Sequence, residues 1–299
     1  LERVRIRLMH LTRCRGITRR MIQKILVFDS SLTKIYQLSP SDISKIYTLP
    51  LKNASLFHSD LHNVSVRKKL KQDLNKYKIV TIVDGNYPRV LNTIKDAPLV
   101  LYARGDLSLL DYKQALSVIG TRNPSKEAME KTISIVKPLV KENWLIVSGL
   151  AKGIDSFAHR VALGNQGKTI AVIGSGLNHV YPKQNTSLFH QIAEQGLILS
   201  EYPPDTPPAK FHFPERNRII SGLTFGTLVI EATEKSGTLI TVDQALDQGR
   251  EVYAVPGSPL IPQTKGCHRM IQEGAKLVYS PEDINEDWVN TGQSFLSIK

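Results

Sequence analysis

The chain has 299 residues, 41% of them apolar, and a formal charge of +12 from 39 basic and 27 acidic side chains. Its length supports a well-buried core and more than one domain. No apolar run approaches the roughly 20 residues of a membrane span, and no basic-then-apolar leader is present, so a cytoplasmic protein is expected. Cys14 and Cys267 lie far apart without CxxC spacing, which suggests neither a disulfide framework nor a metal site.

The whole charge excess sits in the first quarter. Residues 1–80 carry 17 basic and 5 acidic side chains, whereas residues 81–299 carry 22 of each. A basic domain joined to a neutral one points to nucleic acid or an acidic partner; the plainer alternative is a charged surface kept for solubility. Residues 1–76 read as a small all-α domain, with helical patterns over 4–11, 18–28, 40–47 and 64–77 separated by turn clusters. Within it, Arg13-Cys-Arg-Gly-Ile-Thr-Arg-Arg20 resembles a helix-hairpin-helix turn, whose backbone N–H groups would meet a phosphate through the glycine link. A plain helical turn fits those residues too. If the turn touches DNA, Arg13, Arg15, Arg19 and Arg20 are its cations.

Residues 77–114 form a transition with strand-like 79–83 and 99–103, read as an extension of the sheet formed by the rest of the chain. Ala115-Leu-Ser-Val-Ile-Gly-Thr-Arg-Asn-Pro-Ser125 is then an apolar strand, a tight glycine turn and a helix start. A helix N-terminus beside such a turn binds anions, and Arg122 adds a forked, permanent charge. The same grammar recurs at 144–155, 169–176, 227–240 and 251–257. Short buried strands alternating with helices predict an α/β fold, a mostly parallel sheet with helices on both faces and its ligand edge at the strands' C-terminal ends. Between the strand at 197–201 and the helix starting near Glu215 lies a long proline-rich insertion, Tyr202–Pro214, expected to be functional. The core domain is placed at 77–280, and 281–299 reads as a polar C-terminal tail.

Dinucleotide binding fits poorly. The first turn is Gly-x-Arg-x-x-Ser, the third lacks the last glycine of GxGxxG, and no carboxylate follows the second strand to hold a ribose. Gly164-Asn-Gln-Gly-Lys-Thr169 mimics a P-loop but is two residues short and precedes a strand. Asp155 and His159, four apart on one helix, suit a dipole contact and its partner as well as they suit catalysis. Glu201 and Glu231 end strands and could form a carboxylate pair, although no nucleophile accompanies them. Cys267-His268, adjacent in sequence, is poor geometry for a nucleophile and its base. What remains is a row of anion-binding turns supplemented by Arg122, Lys152, Lys183, Lys210, Arg216, Arg218 and Lys235. A single strand of nucleic acid along the sheet edge would use them all, with Tyr181, Phe211 or Phe213 stacking on bases. Core packing is the alternative for the aromatics.

Several of these segments together are similar to the DNA-processing protein A (DprA, or Smf) family. They are Tyr87-Pro88, Gly120-Thr-Arg122, Ser148-Gly-Leu-Ala-Lys-Gly-Ile-Asp155, Gly174-Ser-Gly176 with Tyr181-Pro182 and Asn185, Glu201-Tyr-Pro203, Arg216-Asn-Arg-Ile-Ile-Ser221, Ser236-Gly-Thr238, Val255-Pro-Gly257 and Gly266-Cys-His268. The resemblance spans about 80–280, and residues 1–76 resemble the family's sterile-alpha-motif-like or helix-hairpin-helix domain. It implies an extended Rossmann-like fold, sequence-independent single-stranded DNA binding, loading of the RecA recombinase during natural transformation, homodimerisation, and no catalysis, cofactor or metal. The implied DNA site comprises Gly120, Thr121, Arg122, Ser125, Ser148, Gly149, Lys152, Gly153, Gly174, Ser175, Gly176, Lys183, Asn185, Lys210, Phe211, Phe213, Arg216, Asn217, Arg218, Lys235, Ser236, Gly237 and Thr238. The implied dimer surface comprises His268, Met270, Ile271 and Leu277. A related superfamily of nucleoside-monophosphate phosphoribohydrolases supplies the enzyme alternative, but Thr241 stands where those enzymes carry their catalytic glutamate.

Overall fold

In the computed structural model, which describes residues 2–297, the chain divides into two compact units. One runs up to Tyr87 and takes in Asp96–Tyr102; the other holds Pro88–Lys95 and the chain from Ala103 onward. The first unit therefore extends past residue 76, because its helices are bonded to the adjoining segments. Arg5 on the first helix donates to the Ile79 carbonyl (2.8 Å) and to Asp84 (3.0 Å), and Arg19 pairs with Asp96.

The first unit contains α1 (Glu2–Arg13), α2 (Arg19–Phe28), α3 (Pro40–Tyr47), α4 (Leu51–His62), α5 (Val64–Lys76) and β1 (Lys78–Thr81). Its helix starts are chemically marked. Ser39 and Asp42 form a reciprocal capping box with Pro40 in the first turn of α3, and Asn63 accepts the Ser65 N–H at the start of α5 (2.8 Å). The sequence pattern held no warning of α4, whose start lacks a capping side chain; the stripe Ala54, Phe57, Leu61 buries it. Gly16, with φ +81°, links α1 to α2, and a Cβ there would stand 2.3 Å from the Asn53 carbonyl oxygen. Only glycine fits that crossing.

The second unit begins with the short α6 (Arg89–Asn92) and the last residues of β2 (Val100–Gly105). It continues as β3 (Ala115–Ile119), α7 (Ala128–Lys141), β4 (Leu145–Ser148), α8 (Ile154–Gly164), β5 (Thr169–Val172), α9 (Thr186–Gln195) and β6 (Leu197–Ser200). Beyond these lie α10 (His212–Gly222), β7 (Gly226–Val229), α11 (Thr238–Asp247), β8 (Glu251–Ala254), α12 (Lys265–Gln272), β9 (Lys276–Leu277) and α13 (Glu282–Leu296). The strands from β3 on lie in the order β6-β5-β4-β3-β7-β8-β9, and each neighbouring pair is parallel. Strands β3 to β7 are buried throughout, as strands covered by helices on both faces must be. The α/β reading of the sequence holds.

Residues 281–297 differ from the polar tail expected over 281–299, of which 298 and 299 lie outside the described residues. Within them α13 packs Ile284, Trp288 and Phe295 on the core cluster around Trp144 and Phe225. Trp288 lies edge-on to Trp144 (5.5 Å) and to Phe225 (5.2 Å). The Trp144 indole N–H donates to Asn285 (2.8 Å), so the helix closes the end of the sheet where β4 and β7 begin.

Candidate functional site

The strand order reverses at β3: successive strands β4, β5 and β6 lie on one side of it, and β7 and β8 on the other. Open α/β sheets form their ligand crevice at such a switch point, beyond the carboxyl ends of the strands. The turn after β3, Gly120–Ser125, occupies that place. Both its ends hang on Glu231, which follows β7. The Thr121 N–H donates to the Glu231 carbonyl (2.8 Å), while the Ser125 N–H (2.8 Å) and hydroxyl (2.5 Å) donate to its carboxylate. That carboxylate is fully buried and also receives Lys131 Nζ at 3.1 Å. The sequence pointed to Glu231 only as one of two possible catalytic carboxylates; its position after an otherwise apolar strand was the signal for a turn lock. Glu201, the other, accepts two bonds from Arg218 at 2.7 Å, so the two carboxylates pair with different cations.

The turn after β4 is fastened to this one and to the next. Ile154 N–H donates to Thr121 O (3.3 Å), and Asn185 Nδ2 donates to the carbonyls of Leu150 (2.9 Å) and Ala151 (3.2 Å). Arg216 reaches in from α10 and donates to the carbonyls of Gly149 (2.6 Å) and Val172. A Cβ at Gly149 would stand 2.5 Å from that guanidinium, so the glycine leaves Arg216 room to reach the carbonyl. Burial lowers the Arg216 pKa to about 10, and Asp155, close by, pulls it back. Burial likewise raises the Asp155 carboxyl, opposed by the charge of Arg216 and by bonds from the Gly149 and Ala151 N–H groups. Burial lowers His159 to about 3, leaving it neutral against Thr169 Oγ1 at 2.7 Å.

The residues singled out in the sequence thus sort by exposure into three sets. Arg122, Lys152, Lys183, Lys210, Phe211, Lys235 and Gly237 are exposed. Thr121, Ser148, Gly149, Gly174, Ser175, Gly176, Asn185, Arg216, Arg218 and Thr238 are buried, and several bond back into the chain. Ser148 Oγ donates to Val118 O (2.6 Å) and Ser175 Oγ to His179 O (2.6 Å). Gly120, Ser125, Gly153, Phe213, Asn217 and Ser236 are intermediate. Lys235, Ser236, Gly237 and Thr238 make a separate turn leading into α11, closed by Ser236 Oγ donating to Thr238 Oγ1 (2.8 Å).

Where the exposed set meets the insertion, charge and rings come together. The Arg122 guanidinium stands 5.8 Å from the centre of the Phe213 ring, Tyr181 lies 5.3 Å from the same ring, and Phe213 covers Gly174. Phe211, 65% exposed, rests edge-on against His212 at 4.5 Å. His212 stacks on Tyr202 at 3.9 Å and meets Gly174 O through Nδ1 (3.2 Å), which fixes the end of the proline-rich loop. A cation, a half-covered ring and exposed rings on a rigid turn can hold a phosphate and a flat base together.

Elsewhere the predicted residues take up other work. Arg13 pairs with buried Asp73 (2.5 Å), and Arg15 is bidentate to buried Asp60, which also accepts the Arg15 N–H (2.8 Å). One backbone N–H of that turn, the one of Arg15, is thereby taken by a carboxylate. Bonding from Arg15 holds the Asp60 carboxyl below its ordinary range. On the proposed dimer surface Met270 is buried, Ile271 is half-buried, Leu277 is 41% exposed, and His268 Nε2 contacts Gly257 O at 2.9 Å. Cys267 is buried, its thiol pushed up to about 12 by desolvation. Thr241 is buried in α11. Among the described residues no group of three His, Cys, Asp or Glu side chains could hold a metal, and no helix is long and apolar enough to cross a membrane.

Residues 78–289 match the family model described as DNA recombination-mediator protein A. The chain belongs to this family. It is 46% identical to the DNA processing protein DprA of Bacillus subtilis over 208 residues, covering 70% of each chain. It is 43% identical to the Streptococcus pneumoniae DprA over 269 residues, covering 90% of this chain and 93% of the relative. The X-ray structure of the pneumococcal protein superposes with a TM-score of 0.81, covering 91% and 94% of the two chains. The Helicobacter pylori family member, whose structure was described for its single-stranded DNA binding mode, superposes at 0.65 with 29% identity, covering 72% of this chain and 96% of that one.

Proposed function

We propose that the protein binds single-stranded DNA without sequence preference along the C-terminal edge of β3, β4 and β5, and acts there as a homodimeric recombination mediator that loads RecA. The observation that carries this reading is the Arg122–Phe213–Tyr181 group at the switch point, within the same edge as exposed Lys152 and Lys183. Phosphates would lie on Arg122 and the lysines, and bases on the rings, a combination that tolerates any sequence because every base has a π-face. Single-stranded DNA binding by the Helicobacter relative supports it, as does the family's description. Arg216, Arg218 and Asn185 enter as the frame of the site. Loading of RecA and the dimer are what the family resemblance implies for this chain.

Arg122→Ala tests the reading. The lost charge-assisted contact is worth about 1.5–3 kcal/mol, so fluorescence anisotropy with a labelled single-stranded oligonucleotide should show a weakening of roughly tenfold or more. Unchanged affinity in a folded variant would remove Arg122 from the site.

A further inference from the structure

In the first unit every carboxylate among the described residues is already committed. Asp60 and Asp73 hold Arg15 and Arg13; Asp84 and Asp96 hold Arg5 and Arg19; Glu2 stands 3.7 Å from Arg5. Asp29 accepts the N–H groups of Ser31 (3.1 Å) and Lys34 (2.8 Å), and Asp42 completes its capping box. Arg13 and Arg19 therefore brace the unit, whereas Arg15 and Arg20 pair with Asp60 and Asp96 while their side chains stay 69% and 76% exposed.

Outward charge without a carboxylate partner lies on α5. Leu70 and Asp73 of that helix are buried, whereas Lys68, Lys71 and Lys76 are exposed and form no ion pair among the described residues. With 3.6 residues per turn, these three lysines fall within an arc of about 140° directed away from Leu70 and Asp73, and a rise of 1.5 Å per residue spreads them over about 12 Å. Between them lie Gln72 and Asn75, both exposed. The arc offers cations and amide donors; the ring beside it, Tyr77, is half-buried and has Lys76 Nζ 5.3 Å from its centre. A protein interface draws its energy from apolar and aromatic anchors, whereas a phosphate chain needs only these groups.

We propose that this face of α5 is a second nucleic-acid contact, made to the phosphate backbone alone. With its neighbouring ring, Tyr77, half-buried and engaged by Lys76, the face meets phosphates rather than bases, so it treats single- and double-stranded DNA alike and supplies the protein's affinity for duplex. The proposal rests on the reading that the other unit binds DNA, and it differs from that reading in predicting a contact indifferent to strandedness.

The test uses the full chain carrying Lys68→Gln, Lys71→Gln and Lys76→Gln together, beside the parent and Arg122→Ala. Binding to single- and double-stranded oligonucleotides is measured from low to moderate salt. Each phosphate neutralised contributes about 0.9 to the slope of log K against log salt on duplex and about 0.7 on single strands. The triple variant should flatten the duplex slope by two to nearly three and the single-strand slope by about two, and should lose proportionally more duplex affinity. Arg122→Ala should weaken single-strand binding and leave the duplex slope within one unit of the parent. Parent slopes in the triple variant, with Arg122→Ala still defective, would overturn the α5 contact alone. A flattened slope with Arg122→Ala unaffected would support α5 and overturn the switch-point site. Parent slopes combined with weakened binding to polyglutamate would give the face to an acidic protein and overturn the proposal.

Discussion

Arg122 and Arg216 carry the same fork and the same charge, both close to a glycine turn, and in the sequence they are indistinguishable as phosphate ligands. Burial separates them: Arg122 is exposed against Phe213, and Arg216 is 4% exposed with its donors spent on the Gly149 and Val172 carbonyls. Nothing local in the chain encodes this, because the acceptors lie 67 and 44 residues away. Removing Arg216 would strand two buried carbonyls and take away a charge that favours ionised Asp155. Arg216→Met is therefore expected to lower unfolding free energy by about 2–6 kcal/mol, at about 1–3 kcal/mol for each buried acceptor left without its donor, with Arg122→Ala within about 0.5 kcal/mol of the parent. Urea midpoints of the two variants measure the contrast. A stable Arg216→Met protein that has lost DNA binding would return Arg216 to the ligands.

The elements divide in the same way between what local pattern encodes and what only packing reveals. Strands β3, β4, β5 and β7 are legible because parallel strands covered on both faces read as unbroken apolar runs stopped by turn residues. The turns after β3, β4 and β5 are legible through their glycines. Helix α13 escapes although its inward positions, Ile284, Trp288, Gly292 and Phe295, are spaced by four, four and three as a helix requires, because one of them is a glycine that carries no apolar signal, the rest of the segment is mostly polar, and its anchors Trp144 and Phe225 are distant in sequence. Gly292 has its place beneath the Trp288 ring, where a Cβ would stand 2.6 Å from the indole. Trp288→Ala should cost about 3 kcal/mol, the low end for deleting a large aromatic whose ring is only partly covered. Because α13 closes the end of the sheet opposite the glycine turns, the affinity of the folded variant for single-stranded DNA should stay at the parent value. Chemical denaturation with a binding curve below the transition checks both; a large loss of affinity would couple the two ends of the sheet.

For the whole molecule, the proposed dimer must be built from whatever the second unit leaves uncovered at its edge. Met270 is spent on the core, but Leu277 on β9 and Tyr279 just after it remain exposed at 41% and 76%. Strand β9 ends the sheet order, so one side of it presents unpaired backbone groups, and natural sheets rarely leave such an edge bare and apolar. A second copy meeting it about a two-fold axis would place the same patch on itself. In that arrangement Leu277→Arg sets two like charges in one apolar contact, where an unpaired charge cannot be buried. Light scattering should then report a folded monomer in place of the parent dimer, with the thermal transition little changed because Leu277 is already partly in water. Aggregation or global unfolding of the variant would show instead that Leu277 belongs to the core, and a parent that is itself monomeric would end the dimer reading.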